Sequence, residues 1–165
     1  MELYIREKKF TIRDCFTIED KKGNDKYQVI GEFIEASKKL HIKDMDGNEV
    51  AMIKEKIVSF KPKFSLYVGD EKIGEIVKDK ALFGDKYHIT GLDWKIKGDD
   101  DDLDYKIIAD GKEIVQFHKT FFSISDTYKL EIDDDVDEIP VLAAILAIDY
   151  MVEEEREEEE KEEEE

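Results

Sequence analysis

Fourteen consecutive residues near the end of the chain, Ile139 to Val152 (IPVLAAILAIDYMV), carry one acid and no polar stripe, and they run directly into EEEREEEEKEEEE. A helix that is apolar on every side has to be surrounded by something. At 1.5 Å per residue this one is about 21 Å long, against roughly 30 Å of bilayer hydrocarbon, so it is too short to span. It therefore predicts a helix enclosed by protein, and the rest of the sequence has to supply the enclosure.

Upstream of residue 139 the apolar residues fall mostly at spacing two, the period of strands with one buried and one wet face. Phe10, Ile12, Phe16 and Ile18 share one parity, with Asp14 interrupting them. Further sets are Tyr27/Val29/Phe33, Leu40/Ile42, Phe64/Leu66/Val68, Leu92/Trp94/Ile96, Tyr105/Ile107 and Tyr128/Leu130/Ile132. Turn chemistry separates them: KGND at 22–25, Asp-Gly at 46–47 and 110–111, and VGDE at 68–71. The segment DGNEVAMIKEKIVSFKPKFSLYV (46–68) aligns without gaps to DGKEIVQFHKTFFSISDTYKLEI (110–132), and DKYQVIG (25–31) matches DKYHITG (85–91). Two tandem half-units of five or six strands each are expected.

An eight-stranded barrel fills its own interior with side chains, whereas one of about twelve leaves a lumen. A helix about 10 Å across fits such a lumen. The expected fold is mainly β: a closed antiparallel barrel of about 12 strands, built from the two half-repeats, around the C-terminal helix. Residues 1–152 form this domain, with the central helix at 139–152, and 153–165 form an acidic low-complexity tail.

Charge narrows the partners. The chain of 165 residues carries a net −18. Residues 153–165 hold eleven Glu, one Arg and one Lys, a net −9, so the body is acidic without its tail. That disfavours nucleic acid or anionic lipid as the main partner, because both need a basic surface to offset phosphate repulsion. One cysteine, Cys15, excludes an internal disulfide, and the N-terminal MELYIREKKFTIRD lacks the apolar core of a signal peptide. A cytoplasmic monomer without a transmembrane segment is expected.

The segments KFSLYVGDEKIGEIVKD (63–79), FGDKYHITGLDWKIKGD (83–99) and above all LEIDDDVDEIPVLAAILAIDYM (130–151) resemble the LURP-one-related family, within the tubby C-terminal-like group that also includes the phospholipid scramblases. The resemblance covers residues 1–152 and implies the barrel with its central helix. Tubby proteins bind phosphoinositides and scramblases respond to calcium. This chain departs from the first in its acidic charge, and from the second in lacking a cysteine cluster and a proline-rich N-terminal region. Fold does not bring activity with it.

Two groups of residues are candidates for binding. Asp133, Asp134, Asp135 and Asp137 offer the oxygen ligands Ca²⁺ takes, without EF-hand spacing. The same acids suit a helix start, where they cap free N–H groups, and Pro140 fits the first turn. Lys54, Lys56, Lys61 and Lys63 are the candidate contact for a lipid headgroup or a peripheral membrane surface. Asp149, the acid within the apolar run, is expected at the helix exit, bonded to loop backbone. His41, His88 and His118 lie on separate strands at no metal-ligand spacing, and Cys15 reads as a strand residue. No GxSxG, P-loop, GxGxxG, HExxH or CxxC occurs. The expectation is a non-enzymatic module, without cofactor, that binds a protein or small ligand at loop edges or a barrel mouth. An enzyme would need a concave pocket with convergent polar groups.

Overall fold

A computed structural model describes residues 1–8, 15–34, 37–56, 63–79, 85–99, 104–121 and 125–164. Phe10, Ile12, Asp14, Lys61 and the aspartates at 100–102 lie outside these segments. Twelve described strands occur in the order β1 (Glu2–Lys8), β2 (Cys15–Asp20), β3 (Asp25–Ile34), β4 (Ser37–Asp44), β5 (Glu49–Lys56), β6 (Lys63–Val68), β7 (Glu71–Lys78), β8 (Asp85–Thr90), β9 (Trp94–Asp99), β10 (Asp104–Ala109), β11 (Lys112–Phe121) and β12 (Ser125–Ile132). Each pairs antiparallel with its neighbours in sequence, and β1 pairs with β12, which closes the barrel. Closure pairs every described strand on both sides, so none of them is a sheet edge open to another chain.

The period-two pattern sets the register. Inward residues meet across every seam: Leu3 opposite Leu130, Ile5 opposite Ile18, Val29 opposite Ile42, Ile53 opposite Leu66, Ile76 opposite Ile89, and Ile96 opposite Ile107. All of these are buried. A slip of one residue in any strand would turn its apolar set outward, so each seam supports the next.

The helix α1 (Glu138–Glu164) occupies the lumen. Every residue from Val141 to Ile148 is buried, as are Met151 and Val152, so all sides of the helix meet the wall. The predicted helix at 139–152 is thus present, and it runs on through the glutamates to residue 164, about 40 Å in all. Residues 159–164 are exposed. Asp137 accepts a hydrogen bond from the Ile139 amide at 3.1 Å, so an acid caps the helix start.

The match between 46–68 and 110–132 equates β5 and β6 with β11 and β12, a shift of six strands in twelve. The match between 25–31 and 85–91 equates β3 with β8, a shift of five, so the two matches do not share one strand offset.

Along the inner wall the rings of Tyr87, Tyr105, Phe117 and Tyr128 form a ladder, with centroids 6.3, 5.8 and 4.9 Å apart. Its last member reaches the helix: the Tyr128 hydroxyl donates to Asp149 Oδ1 at 2.5 Å. Asp149 is therefore held by a phenol of the wall and not by the loop backbone expected from sequence. The reason is depth: Met151 and Val152 beyond it are still buried, so Asp149 lies where the wall of the barrel faces it. At the other end the Tyr27 hydroxyl donates to Glu138 Oε1 at 2.5 Å. Burial, and then this acceptor, push the Tyr27 phenol above its ordinary value.

Removing the Tyr128 hydroxyl takes a donor from a half-buried carboxylate. Tyr128→Phe is expected to lower stability by about 1–3 kcal/mol, and combining it with Asp149→Leu to restore most of the loss. Urea midpoints of the two single variants and the double variant provide the check; strictly additive losses would contradict the coupling.

Candidate functional site

Because the helix takes the lumen, its interior surface is almost wholly apolar, and Ser65 is the one buried polar residue other than tyrosine among the described residues. Binding chemistry therefore has to lie on the outer wall or at the rims. The two ends differ. The turns at 21–24, 45–48, 69–70, 91–93 and 110–111 are short and lie at the end where the helix begins. Alternate strands begin at the other end, where the helix leaves.

An open groove of about 940 Å³ lies at the short-turn end, across β8, β9 and β10. Its floor is one cross-strand row, because His88 is opposite Lys95 and Lys95 is opposite Ile108. Lys97 continues the outward face of β9 away from the rim. Thr90, Asp93, Trp94 and Asp110 line the rim side. Trp94 is the only tryptophan of the chain. The two acids stand where they do because of the turns. Asp93 and Asp110 have φ of 52° and 51°, and among the described residues they are the only non-glycines in the left-handed region. Aspartate tolerates that conformation better than most side chains. Asp110 with Gly111, φ 76°, makes the two-residue hairpin that the Asp-Gly pair predicts.

A Cβ at Gly74 on β7 would meet the carbonyl oxygen of Thr90, a residue of the groove, so β7 carries glycine where β8 approaches it. His88 is oriented by a carboxylate, Nδ1 lying 2.7 Å from Asp79 Oδ1. With Nδ1–H donated there, Nε2 is the ring atom left for the groove. His118 pairs with Asp104 at 2.9 Å, and His41 lies between Glu32 and Glu49, so each histidine is bound to carboxylates on the outer wall.

Three of the predicted lysines, Lys54, Lys56 and Lys63, lie elsewhere with Lys39, and Lys61 is outside the described residues. Lys39 is opposite Lys54 and Lys56 is opposite Lys63, which puts four lysines on the outer face of β4–β6 near the helix exit. Lys56 pairs with Glu75 at 3.3 Å. Hydrogen bonding from Lys72, at 2.7 Å, holds the Glu75 carboxyl below its ordinary value. At the same mouth Tyr150 of α1 meets Phe64 edge-on at 5.5 Å, with the Lys38 ammonium 5.7 Å from the Tyr150 ring centroid.

The acidic run lies between β12 and α1. Asp133 pairs with Lys112 at 3.2 Å, Asp134 takes a hydrogen bond from the Met1 nitrogen at 3.0 Å, and Asp137 caps the helix. Asp135 is exposed. Among the described residues no three His, Cys, Asp or Glu side chains are placed to hold a metal ion. Nor is any described helix long and apolar enough to cross a membrane.

Residues 1–149 match the LURP-one-related family. The chain belongs to that family. Among relatives of this LURP-one-related chain, the uncharacterised protein YxjI of Bacillus subtilis (strain 168) is 26% identical over 153 residues, covering 92% of this chain and 94% of that one. The X-ray structure of a protein from Arabidopsis thaliana shares the fold, with a TM-score of 0.65 at 14% identity and 90% of each chain covered. The family's shared region ends within α1, so the glutamate extension lies beyond it. The groove was not read from sequence. Its signal was present in GLDWKIK (91–97), where a turn acid, the only tryptophan and two lysines at spacing two adjoin.

Proposed function

We propose that this LURP-one-related chain is a cytoplasmic, non-enzymatic monomer that binds a small ligand in the groove across β8–β10. The observation carrying the reading is the helix-filled lumen, which moves any ligand to the outside, where this groove joins an aromatic ring to charged and hydrogen-bonding groups. Ligand sites combine apolar surface with a few placed polar groups in this way. The non-enzymatic part rests on the sequence, in which no GxSxG, P-loop, GxGxxG, HExxH or CxxC occurs. Thr90, the hydroxyl of the groove, is hydrogen-bonded to the backbone of Glu75.

Amide spectra of the full chain, titrated with inorganic phosphate, acetate and benzoate as probes, test this. Shifts clustered at residues 88–97 and 108–111 are expected. Shifts scattered over the barrel, or none, would remove the groove as the site.

The lysine wall favours a second reading, attachment to an anionic membrane surface, because Lys39, Lys54, Lys56 and Lys63 share one face. Each lysine near such a surface contributes about 1 kcal/mol. In flotation with phosphoinositide-containing vesicles, Lys54→Glu combined with Lys63→Glu should abolish binding. Binding that is indifferent to both changes, or to the anionic lipid, would end this reading.

A further inference from the structure

The charges of the groove are ordered. His88, Lys95 and Lys97 line its strand side, while Asp93 and Asp110 stand at its rim with Trp94 beside them. Lys95 is opposite Ile108, and Asp110 lies two residues further along that strand direction, a separation of about 6.6 Å at 3.3 Å per residue. A simple anion would meet the rim acids, and a simple cation would meet the lysines. A molecule with both charges meets favourable partners at each end. Building on the groove reading above, we infer that the ligand is a zwitterion with a phosphate at one end and an ammonium, separated by a short spacer, at the other: phosphocholine or phosphoethanolamine, free or as a lipid headgroup.

Each part of the site has a stated role. Lys95 and Lys97 bind the phosphate by charge-assisted hydrogen bonds. His88, held by Asp79 at Nδ1, offers Nε2 to the same oxygens when protonated. The ammonium lies at the rim with Asp93 and Asp110 supplying negative charge, and Trp94, opposite Ile89 and partly packed on the core, stands beside them.

The only tryptophan makes the test direct. Trp94 fluorescence of the full chain is titrated with phosphocholine, inorganic phosphate and choline. Phosphocholine is expected to bind at least tenfold more tightly than either half. Asp93→Asn with Asp110→Asn keeps side chains that tolerate the turns and should erase the preference for phosphocholine over phosphate. Lys95→Gln with Lys97→Gln should weaken phosphocholine at least tenfold. Flotation with phosphatidylcholine vesicles names the source: vesicle binding competed by phosphocholine assigns a lipid headgroup, and binding of the free compound alone assigns a soluble ligand. Equal affinity for phosphate and phosphocholine overturns the zwitterion while the groove stands. No response of Trp94 to any of the three, together with still amides at 88–97, overturns both.

Discussion

Ile145→Asp is expected to abolish cooperative folding. Ile145 is enclosed at the centre of the buried stretch of α1, and each of its neighbours from Val141 to Ile148 is enclosed as well. A carboxylate there has no water and no partner, and even after relaxation such a charge costs several kcal/mol. A domain of this kind holds only about 5–15 kcal/mol in total. Because the helix is the interior of the barrel, all twelve strands lose their support together. Ile145→Val serves as the control and should cost about 0.5–1.5 kcal/mol with the transition intact. Urea denaturation followed by far-UV circular dichroism distinguishes the two. A folded Ile145→Asp protein with a sharp transition would show that the wall stands without a packed helix.

The second large effect is expected at Gly74. Adding a methyl there drives it into the Thr90 carbonyl oxygen, which is backbone and does not swing aside, while the Ile89 side chain lies at 3.1 Å. Gly74→Ala should therefore destabilise by about 3 kcal/mol, the upper part of the range for overpacking. Gly47 provides the contrast. A Cβ at Gly47 meets nothing within 4 Å, and its constraint is a φ of +87°. Changing each to Asn separates the two causes, since Asn is the side chain other than glycine that most readily adopts positive φ. Gly47→Asn is expected to stay close to wild type, and Gly74→Asn to be worse than Gly74→Ala. Thermal midpoints of the three variants check this. Equal behaviour of the two Asn variants would contradict it. Because Thr90 lines the groove, Gly74→Ala should also disturb Trp94 fluorescence, and Gly47→Asn should not.

Much of the fold is legible in the sequence, for identifiable reasons. Tyr105/Ile107 and Tyr128/Leu130/Ile132 alternate because one face of each strand meets the helix, and a buried face writes itself into every second residue. The same logic makes α1 apolar on all sides. Strands β5 and β7 are fainter, because small residues replace part of the apolar signal: β5 buries Ala51, and β7 buries Ile76 with Gly74 two residues before it, where β8 approaches closely. The groove is harder to read, because it joins residues from two turns and three strands. His88 and Asp79 are nine positions apart and become partners only through the pairing of β7 with β8. Lys54, Lys56 and Lys63 form one face for a similar reason, the direct opposition of β5 and β6. By contrast, Asp133, Asp134 and Asp137, adjacent in sequence, separate into an ion pair with Lys112, a bond from Met1 and a helix cap.

By itself the sequence determined what must be buried. An apolar helix too short for a bilayer, a dozen amphipathic strands and a glutamate run left few arrangements other than a barrel closed around its own C-terminal segment. Hydrophobic burial is nondirectional and follows from residue type, so composition and period are enough to specify it. The tertiary structure alone decided which polar groups meet. Hydrogen bonds and ion pairs are directional and short-ranged. Whether Asp149 faces backbone or Tyr128, and whether Trp94 stands beside two lysines and two acids, depends on strand register to within a single residue.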